Sequence, residues 1–207
     1  LLLGWADQNL QPDVNFGGGN STYCTGASAR NHIINSDGWM ITDGGMDCGS
    51  GFVITVQTDN PGTSTNTQFT IPTFSGETYN YNVDCDNDGV VEASGVTGNY
   101  TCDYSSAGSY TLRIDDHSGA GSGFPRIYFN NVGDKEKLLS IDQWGNGTWT
   151  SMAGAFWGCS NLEGKATDIP DLSGVTDLSY MFAGASSLNQ DIGNWIVESI
   201  TDASSMF

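Results

Sequence analysis

The last third of the chain is nearly one passage written twice. Residues 149–174 read WTSMAGAFWGCSNLEGKATDIPDLSG, residues 175–199 read VTDLSYMFAGASSLNQDIGNWIVES, and ITDASSMF at 200–207 opens a third copy. Phe156, Phe182 and Phe207 recur at 26 and then 25 residues, Met181 and Met206 keep the second spacing, and Leu162 aligns with Leu188. A fixed period of this length marks a solenoid, in which one coil cannot bury its own apolar face and must stack on a neighbour. Phe156, Leu162, Met181, Phe182, Leu188, Trp195, Met206 and Phe207 are therefore expected to be repeat core. Within each coil, VTDLS and ITDAS read as brief strands and YMFAGASSLNQ as a turn or short helix. The third copy stops before its own Leu and Trp positions, so the chain is expected to be a window on a longer protein.

Charge narrows the choice of partners. Six Lys and Arg stand against 24 acidic residues, a net charge of −18. Such a surface repels phosphate backbones and excludes nucleic acid, while it invites divalent cations. No apolar run approaches the roughly 20 residues of a membrane span. Five cysteines point towards an oxidising compartment. Spacing favours Cys24 with Cys48 and Cys85 with Cys102, leaving Cys159 inside a repeat.

Residues 1–48 read as a compact αβ piece. Leu2, Leu3, Trp5, Ala6 and Leu10 suit a short helix that Pro12 ends. A second helix is expected over Ala27 to Asn35 with Ile33 and Ile34 on its buried side, His32 as a half-buried packing residue, and WMIT as a strand. In residues 49–122 alternation takes over. FVITVQ (52–57), QFTIP (68–72), YNYNVD (79–84), NYTCDY (99–104) and SYTLRID (109–115) are of strand length, separated by Asn, Gly, Pro and Ser clusters. Short antiparallel strands at this density suggest a small β-sandwich. Tyr79, Tyr81 and Val83 would face one side of it, Asn80 and Asn82 the other.

One constellation carries chemistry. Asp84, Asp86 and Asp88 alternate, Gly89 follows, and Glu92 comes three residues later. Alternate carboxylates converge on a hard cation and Gly permits the sharp bend, as in the front half of a calcium loop. An EF-hand is excluded, because its twelfth position is Gly95 and helix signals are lacking on both sides. The competing reading is a hairpin turn whose Asp and Asn side chains cap the backbone.

In residues 123–207, FPRIYFN at 124–130 is expected to be a strand. Arg126, Lys135 and Lys137 gather half of the basic residues, and intramolecular contact with the acidic surface is expected of them. Ile141, Trp144 and Trp149 suit a cap over the first coil.

Two resemblances follow from these stretches. LLLGWA, YCTGASAR and GWMITDGGMDC in residues 1–48, and the repeat of residues 149–207, resemble the BspA-like leucine-rich-repeat surface proteins of bacteria. YNVDCDNDGVVEASGVTGNYTCDYSSAGSYTLRI resembles PKD-like, immunoglobulin-related domains. In that pattern Cys85 replaces an aromatic residue and Cys102 a His, which reads as a disulfide in place of a packing contact. The resemblances imply a mainly β chain in three parts. Residues 1–48 would close one repeat array, 49–122 form a PKD-like sandwich, and 123–207 cap and start a second leucine-rich-repeat-like solenoid.

Catalytic signatures are lacking. There is no G-x-S-x-G, no H-E-x-x-H and no phosphate-binding glycine loop, and the two His residues lie far apart in sequence. The expected function is thus non-enzymatic: a structural or adhesive, extracellular segment of a large bacterial cell-surface protein, forming a stiff rod or fibre. Its partners would be neighbouring repeats of the same chain and, through self-association, further copies, with calcium as the candidate cofactor. The alternative is a recognition module that binds a host protein or glycan through the solenoid face.

Overall fold

The computed structural model describes residues 5, 8–19, 21, 27–43 and 51–207. It divides into two compact units, residues 1–49 and 50–207. In the first, β1 (Asn15–Gly17) and β2 (Met40–Thr42) pair in parallel across helix α1 (Ala27–Asp37). Asn15 lies opposite Met40, an offset of 25 residues, the same as the spacing of the second pair of C-terminal repeats. Ile33 on the helix and Ile41 on the strand are buried, and Trp5 packs edge-on against Phe16 at 5.3 Å. Arg30 bridges helix and strand through Asp43 at 2.8 Å. His32 is exposed rather than half-buried, with Nδ1 3.3 Å from the Ser36 hydroxyl one turn on. The helix expected across Leu2 to Leu10 falls largely outside the described residues.

The second unit is mainly β. Its large sheet has the order β10-β9-β3-β8-β5-β6, built from β3 (Phe52–Gln57), β5 (Tyr81–Asp84), β6 (Ala93–Val96), β8 (Ser109–Asp116), β9 (Leu138–Gln143) and β10 (Glu163–Gly164). A second sheet pairs β4 (Gln68–Ile71) with β7 (Tyr100–Asp103). All pairs are antiparallel except β9 with β10. Alternation dictates what each strand buries. Phe52, Ile54 and Val56 of β3, Tyr81 and Val83 of β5, and Leu112 and Ile114 of β8 meet Phe69, Ile71 and Cys102 of the small sheet in one core. Tyr79 joins that face, and Asn80 and Asn82 are half-buried on the other.

Two elements differ from the sequence reading. Residues 124–130 are not a strand. Phe124, Ile127 and Phe129 are buried, yet Tyr128 N–H donates to Pro72 while Phe129 and Asn130 donate to Ala155 and Gly154, so no single neighbour gives a ladder. Residues 138–143, in contrast, form β9 against β3. The expected boundary at 122 therefore falls inside one compact unit, and the core runs through Phe124, Ile141, Trp144 and Trp149 into the repeats.

Two buried charges, Asp134 and Lys137, both hold residues 63–70 and share the Ser64 hydroxyl. Asp134 accepts N–H bonds from Thr63, Ser64 and Thr70 at 2.8, 2.9 and 2.8 Å and the Ser64 hydroxyl at 2.6 Å. Lys137, fully buried, donates to the Ser64, Thr65 and Gln68 carbonyls at 3.1, 2.7 and 3.0 Å. Burial pulls the ammonium below its usual range, against the opposing charges of Asp134 and Asp59. Burial works against the Asp134 charge too, but hydrogen bonds from Ser64 and Thr70 and the lysine outweigh it and lower its pKa. Arg126 lies 4.4 Å from both the Phe74 and Tyr128 ring centres and donates to the Ala153 carbonyl at 2.6 Å. These cations thus meet carbonyls and rings rather than an acidic surface, apart from Lys135 with Glu136 at 3.4 Å.

In the repeats, copies stack through backbone hydrogen bonds in a fixed register. The N–H groups of Met152, Gly154, Phe156 and Gly158 donate to the carbonyls of Asp177, Ser179, Met181 and Ala183. Leu178, Tyr180 and Phe182 donate in turn to Asp202, Ser204 and Met206. The brief strands expected at VTDLS and ITDAS reduce to one parallel bridge, Asp177 with Asp202, and YMFAGASSLNQ is turns. Phe156, Phe182 and Phe207 form a ladder with centroids 5.6 and 6.0 Å apart.

Asp116 closes the loop after β8. Burial opposes its charge, but bonds from the Ser118 hydroxyl and the Gly121, Ser118 and Gly123 N–H groups hold its pKa at about 2, against an ordinary 3.8. A carboxylate with a lowered folded-state pKa stabilises above its unfolded value and loses that contribution as pH falls through the folded one. Stability measured by denaturant titration is expected to fall between about pH 4 and pH 2, and Asp116→Asn to be less stable at neutral pH with a shallower fall across that window.

Candidate functional site

The acidic turn grows out of β5. Asp84 ends the strand and is buried; Asn87 at φ 56° and Gly89 at φ 92° take the left-handed backbone that turns the chain. Asp84 accepts the Asp88 N–H at 3.2 Å and the Gly89 N–H at 2.8 Å, and Asp88 accepts the Val90 N–H at 2.8 Å. Glu92 reaches back to the Cys85 N–H at 2.6 Å while its own N–H donates to Val83. The capping expected of a hairpin turn is thus present.

The same turn brings all four expected ligands together. One oxygen from each of Asp84, Asp86, Asp88 and Glu92 lies within 4.8 Å of the others. Calcium binds oxygen at about 2.3–2.6 Å, so ligands across the ion stand roughly 5 Å apart, whereas magnesium needs roughly 4 Å. Four carboxylate oxygens this close together can share one hard cation. Asp84, Asn87, Asp88 and Val91 also line an open hollow with Arg113 and Asp115 of β8. Arg113 pairs with Asp115 at 2.8 Å, placing a positive charge at the rim.

A disulfide anchors the turn. Cys85 follows Asp84 directly and bonds Cys102 of β7, with Cα atoms 5.7 Å apart, tying the large sheet to the small one. The Tyr104 hydroxyl donates to the Cys85 carbonyl at 2.8 Å, and its ring stacks on Tyr110 at 3.8 Å. Cys24 and Cys48 lie outside the described residues. Cys159 is a buried free thiol, its pKa raised by burial.

The repeat positions are packed, with one departure. Phe156, Leu162, Met181, Phe182 and Trp195 are buried, and Leu188 and Met206 pack against the same core. Phe207, expected in the core, is 72% exposed and stacks on Phe182 at 6.0 Å.

Comparing the copies reveals a feature that the sequence reading passed over. The hydrogen-bond register aligns Gly154, Tyr180 and Ser205, and all three have left-handed backbone, at φ 63°, 55° and 51°. A β-carbon in that conformation costs about 1–2 kcal/mol. Tyr180 accepts this cost on the surface, 42% exposed, with its ring stacked on half-buried Trp157 at 4.8 Å and 25°. Trp157 itself aligns with Ala183. Such a stack contributes about 0.5–1.5 kcal/mol, which roughly cancels the backbone term. Its signal in the sequence is two aromatic residues where neighbouring copies have Gly, Ser or Ala.

Residues 126–207 match the model of a family described as a Mycoplasma protein of unknown function, DUF285. The chain is similar to that family over the repeat half and the junction before it. No curated protein and no solved structure matches the chain. Among the described residues no helix is long and apolar enough to cross a membrane.

The Cys85–Cys102 bridge closes a separation of 17 residues, for which chain entropy predicts a stabilisation of about 3 kcal/mol. The Cys85→Ala/Cys102→Ala variant is expected to lose about that much in urea unfolding, and to melt several degrees lower.

Proposed function

We propose that this chain is a non-enzymatic structural segment of a large secreted bacterial surface protein of the BspA-like kind, contributing to a stiff rod or fibre. Residues 123–207 are read as the cap and first coils of a solenoid, and residues 49–122 as a PKD-like sandwich that forms a fixed joint. The observation that carries this reading is the backbone register of the repeats, N–H to carbonyl from copy to copy, over a continuous phenylalanine ladder. The offset of 25 residues between β1 and β2 supports reading residues 1–48 as the closing coil of another array. The Cys85–Cys102 disulfide supports an extracellular location, where such bonds persist.

The non-enzymatic reading is supported by how the carboxylates are used. Asp116, Asp134 and Asp168 all commit their oxygens to backbone N–H groups that close loops. Self-association into a fibre would extend the same stacking from one chain to the next.

The rod reading is tested by lengthening the array. Each further copy of residues 175–199 added at the C-terminus is expected to extend the particle by about 4.8 Å, one inter-strand spacing, with an unchanged cross-section in small-angle X-ray scattering. A cross-section that grows with copy number rejects it.

Calcium is the second part of the proposal, favoured by the 4.8 Å convergence of Asp84, Asp86, Asp88 and Glu92. Calcium at a hundredfold excess over its Kd would stabilise by about 2.7 kcal/mol. The melting temperature is expected to rise with added calcium, fall back with chelator, and respond to neither in Asp86→Asn/Asp88→Asn. A wild-type midpoint indifferent to both removes the ion from the account.

A further inference from the structure

We infer that Asn146–Gly147 is a self-modification site, where the chain converts its own asparagine to aspartate and isoaspartate through a cyclic imide. Of all the asparagines in the sequence only Asn146 is followed by glycine. The pair lies in the turn that leads from β9 into the first repeat copy, and its neighbours on both sides are tied down. Trp144 and Gly145 donate their N–H groups to the Asp168 carboxylate at 3.0 and 2.8 Å, and Thr148 donates its own to the Gly121 carbonyl at 2.8 Å. Between these anchors Asn146 is exposed, and neither its side-chain amide nor the Gly147 N–H has a hydrogen-bond partner among the described residues. Other asparagine amides are engaged. Asn99 accepts from the Thr73 N–H and hydroxyl, each at 2.7 Å, and Asn82 from the Ser94 hydroxyl and Gly95 N–H at 2.7 and 3.2 Å. Asn60 and Asn161 both donate to the Glu136 carbonyl, at 3.1 and 2.7 Å.

The reaction needs only water. The Gly147 backbone nitrogen, its proton lost to solvent, attacks Asn146 Cγ. The new N–Cγ bond closes a five-membered imide, and the Cγ–Nδ2 bond breaks as that nitrogen leaves, with a proton from solvent, as ammonia. Water then opens the imide. Opening at the side-chain carbonyl gives aspartate, and opening at the main-chain carbonyl gives isoaspartate, whose backbone runs through the former side chain and is one carbon longer. One water is consumed, one ammonia is released, and nothing is oxidised or reduced. Local structure favours the first step. A hydrogen-bonded N–H must break its bond before it attacks, and the Gly147 N–H has none to break. A side chain after the asparagine would crowd the nitrogen, and glycine has none. Space is open too, since a β-carbon at Gly147 would meet nothing nearer than the Gly121 carbonyl oxygen at 3.8 Å. Asp88–Gly89 in the acidic turn is the contrast: the Gly89 N–H is held by Asp84 at 2.8 Å, and the Asp88 carboxylate holds the Val90 N–H at 2.8 Å. Either product at Asn146 adds a negative charge between buried Trp144 and Trp149. The inference rests on this turn alone, and stands whether or not the chain builds a rod.

The test ages the full chain in neutral buffer, digests it, and follows the peptide that holds Asn146 by mass spectrometry, with isoaspartate labelled by protein isoaspartate methyltransferase. The same chain unfolded in guanidinium sets the time scale. Asn146 is expected to convert before every other asparagine, faster in mildly alkaline than in mildly acidic buffer, with isoaspartate among the products. Gly147→Ala is the decisive variant. The Gly147 backbone is not left-handed and its β-carbon has room, so the variant is expected to melt within about 3 °C of the wild type while converting about tenfold more slowly or less. The inference is overturned if Asn146 keeps its amide over the time in which the unfolded chain loses it, or if another asparagine converts first. It is equally overturned if Gly147→Ala converts as fast as the wild type, or if aspartate forms without isoaspartate, which marks direct hydrolysis of the amide.

Discussion

The repeat half rests on one arrangement: copies of 25 or 26 residues are hydrogen-bonded backbone to backbone, which lays the apolar edge of one on that of the next. Backbone hydrogen bonds fix how the cover is applied. With Phe156 N–H on the Met181 carbonyl and Phe182 N–H on that of Met206, phenylalanine falls over phenylalanine, and Phe156 and Phe182 are buried. The same bonds force left-handed backbone at Gly154, Tyr180 and Ser205, because each copy must turn where its neighbour turns. Packing, register and turn conformation are thus a single requirement, met residue by residue along the stack.

The first copy is joined to the large sheet that precedes it. Strand β9 hydrogen-bonds to β3 on one side and to β10 on the other, so the large sheet passes without interruption from the sandwich strands into the first copy. Phe52 meets Trp144 and Trp149 at 5.8 and 5.2 Å, and Trp144 meets Phe156 at 5.9 Å, which makes the aromatic core continuous as well. Asp134 and Lys137 close the remaining side. Asp134 is held by the N–H groups of Thr63, Ser64 and Thr70 and Lys137 by the carbonyls of Ser64, Thr65 and Gln68, so losing either leaves buried polar groups without a partner. Residues on the two sides of position 122 thus share one sheet and one core.

How much of this the sequence revealed depends on whether each signal was local. Strands β3, β4, β5, β7 and β8 were legible because alternation of apolar and polar residues declares both the strand and its buried face, as Tyr79, Tyr81 and Val83 illustrate. Strand β9 was not, since LLSIDQ buries three residues in an irregular pattern and its partner β3 lies far away in sequence. FPRIYFN has strand composition but borrows hydrogen bonds from Pro72 and from Gly154 and Ala155, and only tertiary structure distributes them so. In the acidic turn, the D-x-D-x-D-G spacing was enough to bring four carboxylates together. The backbone capping expected of a hairpin turn is present beside it, with Asp84 and Glu92 tied to N–H groups.

Trp157 and Tyr180 mark a different limit. A search for repeats rewards sameness, and it therefore discards the residues that a repeat does not explain. Once coordinates give the alignment, the logic reverses. Positions that recur report what stacking demands, and those demands can be subtracted. What remains is the individual surface of each copy, where Tyr180 strains its own backbone and regains about as much by stacking on Trp157. The scaffold and its surface are thus separable by one operation, because a repeat protein contains its own control: every turn shows what its neighbour would look like without the feature in question.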